Sequence, residues 1–282
     1  MSSMFFGQYL LEKGVIGREA LLDAFSRQRR ANRTLTRLAV DHGLLDEERA
    51  GQIEQVYRLS QRTLEELCQS EGRLSREQLD GLLSAQRSAW LRIGSALVEG
   101  GHLTRDQVEQ HLEAFQAREE SERQTLEESF AHLPDTDLAR ACTELTLRHV
   151  ARATATPVKL SVVEQGDFGL PDGWYRFAQR ILGDRRFHVA LDFPPELVGA
   201  VASGMLGTAL EASSEAARDA VCELVNLIGG NACTRLEGLG LRLRPEPPFS
   251  AGPDGPCSPS GPSVRVAAIA GESDLAMHLF LE

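Results

Sequence analysis

Four glycines recur at a fixed interval in the first half of this chain. They lie 29 residues apart each time, at positions 14, 43, 72 and 101. Apolar residues follow each glycine two and seven positions later: Ile16 and Leu21, Leu45 and Ala50, Leu74 and Leu79, Leu103 and Val108. A fixed period of this length is typical of repeats that bury their apolar positions against neighbouring units. We therefore predict that residues 1–118 form four helix-turn-helix units, stacked one on the next.

Signals that end and begin helices accompany this period. Each glycine follows a short segment with apolar periodicity, such as residues 9–13, and a glycine there can take the left-handed conformation that closes a helix. Ser75 and Thr104 are each followed three residues later by glutamine, which is a capping box at the start of a helix. The first half is therefore predicted to be all-α.

The 29-residue unit resembles the cyclic di-GMP-binding module at the N-terminus of MshE-type ATPases, which serve type II secretion and type IV pili. The resemblance covers residues 5–116 and the form RLG-x-x-L-x-x-x-G-L-[LI] with a closing glutamine. Arg92, Ile93 and Gly94 match the opening triplet. In that family the opening arginine and glycine and the closing glutamine help to grip the nucleotide. The resemblance thus implies cyclic di-GMP as a ligand, with Gln86, Arg92 and Gly94 as candidate binding residues.

The chain departs from that family at the arginine position of the first three units. Phe5, Thr34 and Thr63 stand there, and neither residue type can stack on and hydrogen-bond a guanine as a guanidinium does. This loss favours an alternative in which the repeat serves as a docking or dimerising scaffold without the nucleotide.

Length and charge narrow the classes of protein. The 282 residues are enough for two domains. With 42% hydrophobic and 25% charged residues and a net charge of -11, the chain is typical of a soluble protein and lacks the basic excess of a nucleic-acid or anionic-membrane binder. No apolar run approaches the roughly 20 residues that span a bilayer, and no secretory signal begins the chain. A cytoplasmic protein without nucleic-acid or membrane partners is predicted.

Motifs for metal or nucleophilic chemistry are missing from the sequence. The five cysteines, at positions 68, 142, 222, 233 and 257, form no CxxC pair, and we expect reduced thiols that mostly serve as small core residues. The histidines form no HExxH or His/Cys cluster, and neither a GxSxG elbow nor a phosphate-binding GxxxxGK[ST] loop occurs. No metal site is therefore expected in this chain.

The second half carries a different pattern. A charged segment at residues 119–136, interrupted by Pro134, is predicted to be a partly helical linker. The domain at residues 137–282 then mixes helical spacing with strand-like alternation. Helices are predicted at 138–153, 194–206 and 214–236, strands at 157–163, 174–179, 187–193, 264–270 and 275–281, and a mobile Pro/Gly/Ser-rich loop at 244–263. This order predicts an α/β sandwich, with helices on a largely antiparallel sheet.

One predicted helix carries a narrow polar stripe. Asp219, Glu223, Asn226 and Gly230 follow one another at steps of four, three and four, so they lie on one helical face. The alternatives are a solvated face, with Asn226 as a satisfied core amide and the glycines as a frayed helix end, or a functional edge.

The stripe resembles the [DS]xxxExxN motif of the CheC, CheX and FliY chemotaxis phosphatases. Gly229 and Gly230 follow the motif, and Pro247 and Pro248 stand at the place of that family's distant proline. The resemblance covers the second half of the chain, and the single motif copy matches CheX, whereas CheC usually has two.

The resemblance implies a phosphatase for the aspartyl phosphate of a CheY-like response regulator, with both the phosphate and Mg²⁺ held by that partner. Asn226 would then hold a water in line with phosphorus, because an amide donates and accepts hydrogen bonds without adding charge. Glu223 would pair with the regulator's lysine, Asp219 would extend the acidic edge, and Gly229, Gly230 and the two prolines would contact the partner. A homodimer is also implied.

Two further hypotheses remain open at this stage. The domain can bind a response regulator, or join a motility complex, without catalysis. Alternatively, cyclic di-GMP bound to the repeat regulates a catalytic second half. The sequence does not identify the regulator or the pathway.

Overall fold

The computed structural model describes residues 5–251, 259 and 261–282. These residues divide into two compact units, residues 5–122 and residues 123–282. Each unit has its own apolar core. Within the described residues, no helix combines the length and the apolar character needed to cross a bilayer.

Short and longer helices alternate through the first unit. Four seven-residue helices begin at residues 6, 35, 64 and 93, and a longer helix follows each of them. The capping boxes at Ser75 and Thr104 are confirmed, since each hydroxyl accepts from the backbone of the glutamine three residues later, at 3.2 Å. The helices are α1 Phe6–Glu12, α2 Arg18–Ala31, α3 Leu35–Asp41, α4 Glu47–Leu59, α5 Leu64–Ser70, α6 Arg76–Ala89, α7 Ile93–Glu99 and α8 Arg105–Ala131.

The helix-closing turn is left-handed at three of the four spaced glycines. Gly14, Gly43 and Gly101 have φ values of +66°, +67° and +71°. At the remaining glycine, Gly72, the positive φ is taken instead by the next residue, Arg73, at 55°. A Cβ on Gly72 would lie 2.5 Å from the carbonyl oxygen of Cys68. Glycine is therefore needed there for close packing, and the prediction of a left-handed Gly72 is wrong.

The helices of the first unit are nested, not stacked in sequence order. One core joins α1 and α2 to α7 and the start of α8, and it includes Leu10, Leu97 and Phe115. A second core is built from α3 to α6, and it includes Ile53 and Leu67. The outer segments thus pack on each other and the two middle segments form their own pair, so the expectation of a linear stack is corrected.

Three helices cover one face of a seven-stranded sheet in the second unit. The sheet order is β1-β6-β7-β3-β2-β4, with β5 also pairing with β2, and every pairing is antiparallel. The predicted α/β arrangement with an antiparallel sheet is confirmed for the described residues. The elements are α9 Thr136–Thr154, β1 Val158–Asp167, β2 Tyr175–Gly183, β3 Phe187–Phe193, α10 Pro195–Leu206, α11 Glu215–Glu237, β4 Leu243–Pro245, β5 Phe249–Ala251, β6 Pro262–Ala270 and β7 Ser273–Leu281.

Two segments differ from the expected elements. The predicted linker 119–136 is mostly helical, because α8 continues to Ala131 and α9 begins at Thr136 with Asp135 as its N-cap. The predicted loop 244–263 contains the short strand β5 and the ends of β4 and β6, since both β4 and β5 pair with β2. Residues 252–258 and 260 of that predicted loop lie outside the described residues.

Cysteines mainly fill core space, as predicted. Cys68, Cys142 and Cys233 are buried free thiols, and Cys222 is half-buried. Burial raises the pKa of Cys142 to about 12, which keeps this thiol protonated at neutral pH. Cys257 lies outside the described residues.

A charged cluster is buried on the sheet face opposite the helices. Arg176 forms a two-pronged ion pair with Asp192, both contacts at 2.7 Å, and each side chain is 1% exposed. His278 Nε2 lies 3.1 Å from the same carboxylate, and its Nδ1 lies 3.1 Å from Ser263 Oγ. Burial of Asp192 favours a higher pKa, but the hydrogen bonds from Arg176 and His278 outweigh it and lower the pKa. The cluster therefore holds Asp192 ionised.

His149 introduces a pH dependence into the second unit. It is buried in α9, Asn231 Nδ2 donates to its Nε2 at 3.1 Å, and its Nδ1 has no partner among the described residues. Burial lowers its pKa from 6.5 to about 4. The unfolded chain therefore binds a proton between these pH values while the folded chain does not, so stability falls as the pH falls through this range, by up to about 3 kcal/mol.

We expect His149→Gln to remove most of this loss. The measurement is urea unfolding at pH 7.5 and pH 4.5, followed by Trp174 fluorescence in a Trp90→Phe background, because the chain has only these two tryptophans. The exposed His132 provides the control, His132→Gln. An equal effect of the two substitutions on the pH dependence would contradict the assignment to His149.

Candidate functional site

Helix α11 carries the predicted stripe along one edge. Ser214 caps the helix by accepting from the backbone of Ala217 at 3.2 Å. Most of the apolar side chains that follow are buried against the sheet and the other helices: Ala217, Ala220, Val221, Leu224, Val225, Ile228, Ala232 and Leu236. Periodic apolar residues of this kind seat one side of a helix in a core. The opposite edge is left accessible.

The stripe residues are exposed to different degrees. Asp219 and Glu223 are exposed, while Asn226 and Gly230 are half-buried. The Glu223 carboxylate forms no hydrogen bond or ion pair with any residue in the described part of the chain. A charge held on a rigid helix without an internal partner is available to one from outside. Asn226 is therefore not a fully buried core amide, and the exposed Glu223 fits both the solvated-face alternative and the functional one.

A buried glutamine orients Asn226. Gln179, on β2, is fully buried, and its Nε2 donates to Asn226 Oδ1 at 2.9 Å and to the backbone carbonyl of Glu246 at 2.7 Å. Asn226 Nδ2 donates to no described residue. The amide is therefore anchored on its oxygen side and open on its nitrogen side.

The two glycines after Asn226 have different surroundings. A Cβ on Gly229 would lie 2.0 Å from Gln179 Oε1 and 3.4 Å from Ile181 Cδ1, whereas a Cβ on Gly230 would meet nothing within 4 Å. Gly229 is buried, so it faces Gln179 and not a docking partner, which differs from the prediction for this residue. Gly230 lies on the accessible edge.

The two prolines lie close to the same edge through the backbone before them. Glu246, whose carbonyl accepts from Gln179, directly precedes Pro247 and Pro248. The backbone of Glu246 also donates to the carbonyl of Arg180 at 2.9 Å, which ties this segment to β2. Pro247 is exposed and Pro248 is half-buried. The structure thus connects the stripe and the prolines through one buried side chain.

The nucleotide-binding candidates of the first unit have other contacts. Gln86 donates to the backbone carbonyl of Arg33 at 2.9 Å. Gly94 is buried, and a Cβ added there would lie 2.7 Å from Val108 Cγ1. Arg92 is exposed at the start of α7. The glutamine tied to the residue before Arg92 is Gln28, which donates to the Leu91 carbonyl at 3.0 Å. These hydrogen bonds do not join Gln86 to Arg92.

Among residues 5–251, 259 and 261–282, no three or more His, Cys, Asp or Glu side chains are grouped to hold a metal ion. The edge of α11 instead offers the carboxylates of Asp219 and Glu223 and the carboxamide of Asn226, and Glu223 and Asn226 lie one helical turn apart. Such a pair can dock a cation and position a small polar molecule, but it contains no nucleophile.

Gln179 is the contact of Asn226 that motif reasoning did not find. It lies between Phe177 and Ile181 on β2, at positions that face the helices because strand side chains alternate. A glutamine at an inward position of an apolar strand is a buried polar group that needs partners. The sequence therefore indicates that Gln179 needs a hydrogen-bond partner, but it does not indicate that this partner is Asn226 on α11.

The fold and the edge of α11 define a class of protein: an α/β domain that presents an Asp-Glu-Asn stripe on an accessible helix. Comparison with family models finds a match for the part of the chain that contains the stripe. Residues 178–266 match the model described as Chemotaxis phosphatase CheX. The matched residues include Gln179, the whole stripe and both prolines.

Solved structures of low sequence identity match about half of the chain. CheX from Vibrio vulnificus is 15% identical, with 51% of this chain and 99% of that chain covered and a TM-score of 0.47. A CheC-like superfamily protein from Shewanella sp. PV-4 is 16% identical, with 52% and 99% covered and a TM-score of 0.47. A CheX-CheY-BeF3-Mg complex from Borrelia burgdorferi is 15% identical, with 52% of this chain and 96% of that chain covered and a TM-score of 0.42. Comparison with curated protein sequences gives no match.

Proposed function

We propose that the second unit is a phosphatase that removes the aspartyl phosphate of a CheY-like response regulator. The carrying observation is the geometry of Asn226, whose half-buried amide is anchored at Oδ1 and keeps its Nδ2 free within the described residues. The match of residues 178–266 to the CheX family model supports the same function.

In the proposed reaction, Asn226 holds a water in line with the phosphorus. The water oxygen forms a bond to phosphorus while the bond from phosphorus to the regulator's aspartyl oxygen breaks. The products are inorganic phosphate and the free carboxylate, and the water's surplus proton passes to phosphate or solvent. Positioning and charge stabilisation suffice for such a transfer. Mg²⁺ would stay on the regulator and neutralise phosphate charge.

The experiment that tests the function measures the lifetime of a phosphorylated regulator. CheY-like proteins from the same genome are phosphorylated with acetyl phosphate and Mg²⁺, and phosphate release is followed with and without the full chain. We expect catalytic amounts of the chain to accelerate release from at least one regulator. Binding without acceleration would contradict the enzyme and would indicate a non-catalytic binding module.

Glu223 provides a separate prediction about docking. Its exposed carboxylate has no internal partner among the described residues, so in the proposed complex it pairs with the regulator's lysine. Glu223→Lys should weaken binding of the BeF3-activated regulator about 10-fold, because like charges would then meet. Titration calorimetry at two salt concentrations measures the affinity.

The matched control for Glu223→Lys is Glu237→Lys, since Glu237 is also exposed on α11 but near its other end. We expect Glu237→Lys to change the affinity less than threefold. Equal losses in the two variants would show a general effect of net charge and would contradict a specific docking role for Glu223.

A further inference from the structure

Gln179 is a fully buried polar side chain between the sheet and α11. Both hydrogens of its Nε2 are used, one toward Asn226 Oδ1 at 2.9 Å and one toward the Glu246 carbonyl at 2.7 Å. Its Oε1 is buried and has no hydrogen-bond partner among the described residues. Gln179 thus donates to another side chain while its own buried oxygen accepts no hydrogen bond, and this arrangement points to a role beyond core packing.

The hydrogen bonds determine which way both amides face. A backbone carbonyl only accepts, so the Gln179 atom that contacts Glu246 must be the donor Nε2. The Asn226 atom that receives the second hydrogen from Nε2 must then be the acceptor Oδ1. Consequently the Asn226 Nδ2 group points away from Gln179, and one lone pair of Oδ1 remains available.

Gly229 provides the space in which Gln179 can adopt this arrangement. A Cβ at position 229 would lie 2.0 Å from Gln179 Oε1 and 3.1 Å from its Cδ. The first distance is too short for a real contact and the second is unusually tight, so an alanine there must displace the carboxamide. A glycine in a helix interior is less favourable than an alanine, and the space for Gln179 explains why this one is present.

We propose that Gln179 is a positioning residue for Asn226, and that Gly229 is required for Gln179 to act. This inference rests on the phosphatase function proposed above and extends it inward by one residue. Gln179 holds Oδ1 in place, so Nδ2 donates outward toward a phosphoryl oxygen or the attacking water. Donation to Oδ1 also polarises the amide and strengthens Nδ2 as a donor.

Two variants test the proposal by different routes. Gln179→Met keeps a similar volume and removes both hydrogen bonds, while Gly229→Ala leaves Gln179 in the chain and displaces its carboxamide. The control is Gly81→Ala, in the interior of α6, where a Cβ would meet nothing within 4 Å. We expect the first two variants to lower kcat about 10-fold with regulator affinity within twofold of wild type, because misplacement of a positioning group affects the reacting geometry. Gly81→Ala should retain wild-type kcat.

A spectroscopic measurement reports the orientation without turnover. In ¹H–¹⁵N spectra, the Gln179 side-chain NH2 signals should exchange slowly with solvent, and they are identified by their loss in Gln179→Met. The Asn226 NH2 signals should shift in Gln179→Met and Gly229→Ala and stay unchanged in Gly81→Ala.

Each outcome decides the proposal. It is overturned if both variants keep wild-type kcat, or if affinity falls in parallel with kcat, since Gln179 would then only shape the docking surface. A wild-type chain without turnover overturns the proposed function instead. In that case slowly exchanging Gln179 signals support the orientation of Asn226, and rapidly exchanging ones overturn it.

Discussion

Asn226→Ala is expected to lower the rate of regulator dephosphorylation about 100-fold while the regulator still binds. The loss is large because the amide is the one group in the proposed site that can hold the water in line, and loss of a preorganised donor costs about this factor. Binding should persist within about threefold, since Glu223 and the surrounding edge of α11 are unchanged. Single-turnover phosphate release and titration with the BeF3-activated regulator separate the two effects.

A second asparagine on the same helix provides the control. Asn231 donates to His149 at 3.1 Å, so Asn231→Ala also removes one side-chain hydrogen bond from α11. We expect Asn231→Ala to change stability and leave the turnover of the folded protein near the wild-type value. The proposed role of Asn226 is contradicted if its alanine variant retains more than half of the wild-type rate, or if both variants lose activity equally.

Asp192→Asn is expected to destabilise the second unit by about 3–5 kcal/mol. The substitution keeps the shape of the side chain but removes the charge that forms the two-pronged ion pair with the buried Arg176, and breaking a buried ion pair from one side carries a cost of this size. His278 loses the same negative neighbour. Urea unfolding followed by Trp174 fluorescence, again in a Trp90→Phe background, measures the difference.

The matched control is a half-buried ion pair on the same sheet, which is far more exposed than the pair of Arg176 and Asp192. Arg265 contacts Glu164 at 2.8 Å, with the two side chains 35% and 41% exposed. Glu164→Gln makes the same acid-to-amide change and should cost less than about 1 kcal/mol. Comparable losses of unfolding free energy for Asp192→Asn and Glu164→Gln would contradict the large contribution assigned to burial of the Arg176–Asp192 pair.

Local sequence pattern predicted most of the second unit. The strand at residues 187–193 coincides with β3, and α11 begins and ends within one residue of the predicted helix. These segments have strong periodicity and clear caps, so local chemistry alone determines them. The short strands β4 and β5 were missed because they are held by pairing with β2. A three-residue strand has almost no local signal, and its existence depends on a partner far along the chain.

The site shows the same division between local and distant information. The spacing from Asp219 to Asn226 placed the stripe on one face of a helix, and the structure places Asp219, Glu223 and Asn226 along that accessible edge. The partner of Asn226 was not predictable from spacing, because Gln179 lies 47 residues away on a strand. The sequence pattern predicts a partner contact for Gly229, because spacing along α11 does not show that Gln179 packs against this glycine. Its neighbour Gln179 becomes visible only when the sheet and the helix are packed together.

In the first unit, the repeat was visible but its packing order was not. Each 29-residue segment has its own apolar anchors, and nothing in a periodic pattern states which copy contacts which. The structure resolves this through Gln28 and Gln86, whose amides reach the backbone at Leu91 and Arg33. One hydrogen bond runs from α2 to the residue just before Arg92, where the fourth segment opens, and the other runs from α6 to the residue just before Thr34, where the second segment opens.

This nested order sets a limit on the length of the first unit. Leu10 and Leu97 are both fully buried in one core, although they come from opposite ends of the unit. An open array tolerates the gain or loss of a terminal copy, because each copy contacts only its neighbours. Here, deletion of the last copy would uncover the first one, so evolution or design can change the number of copies only by altering both ends together.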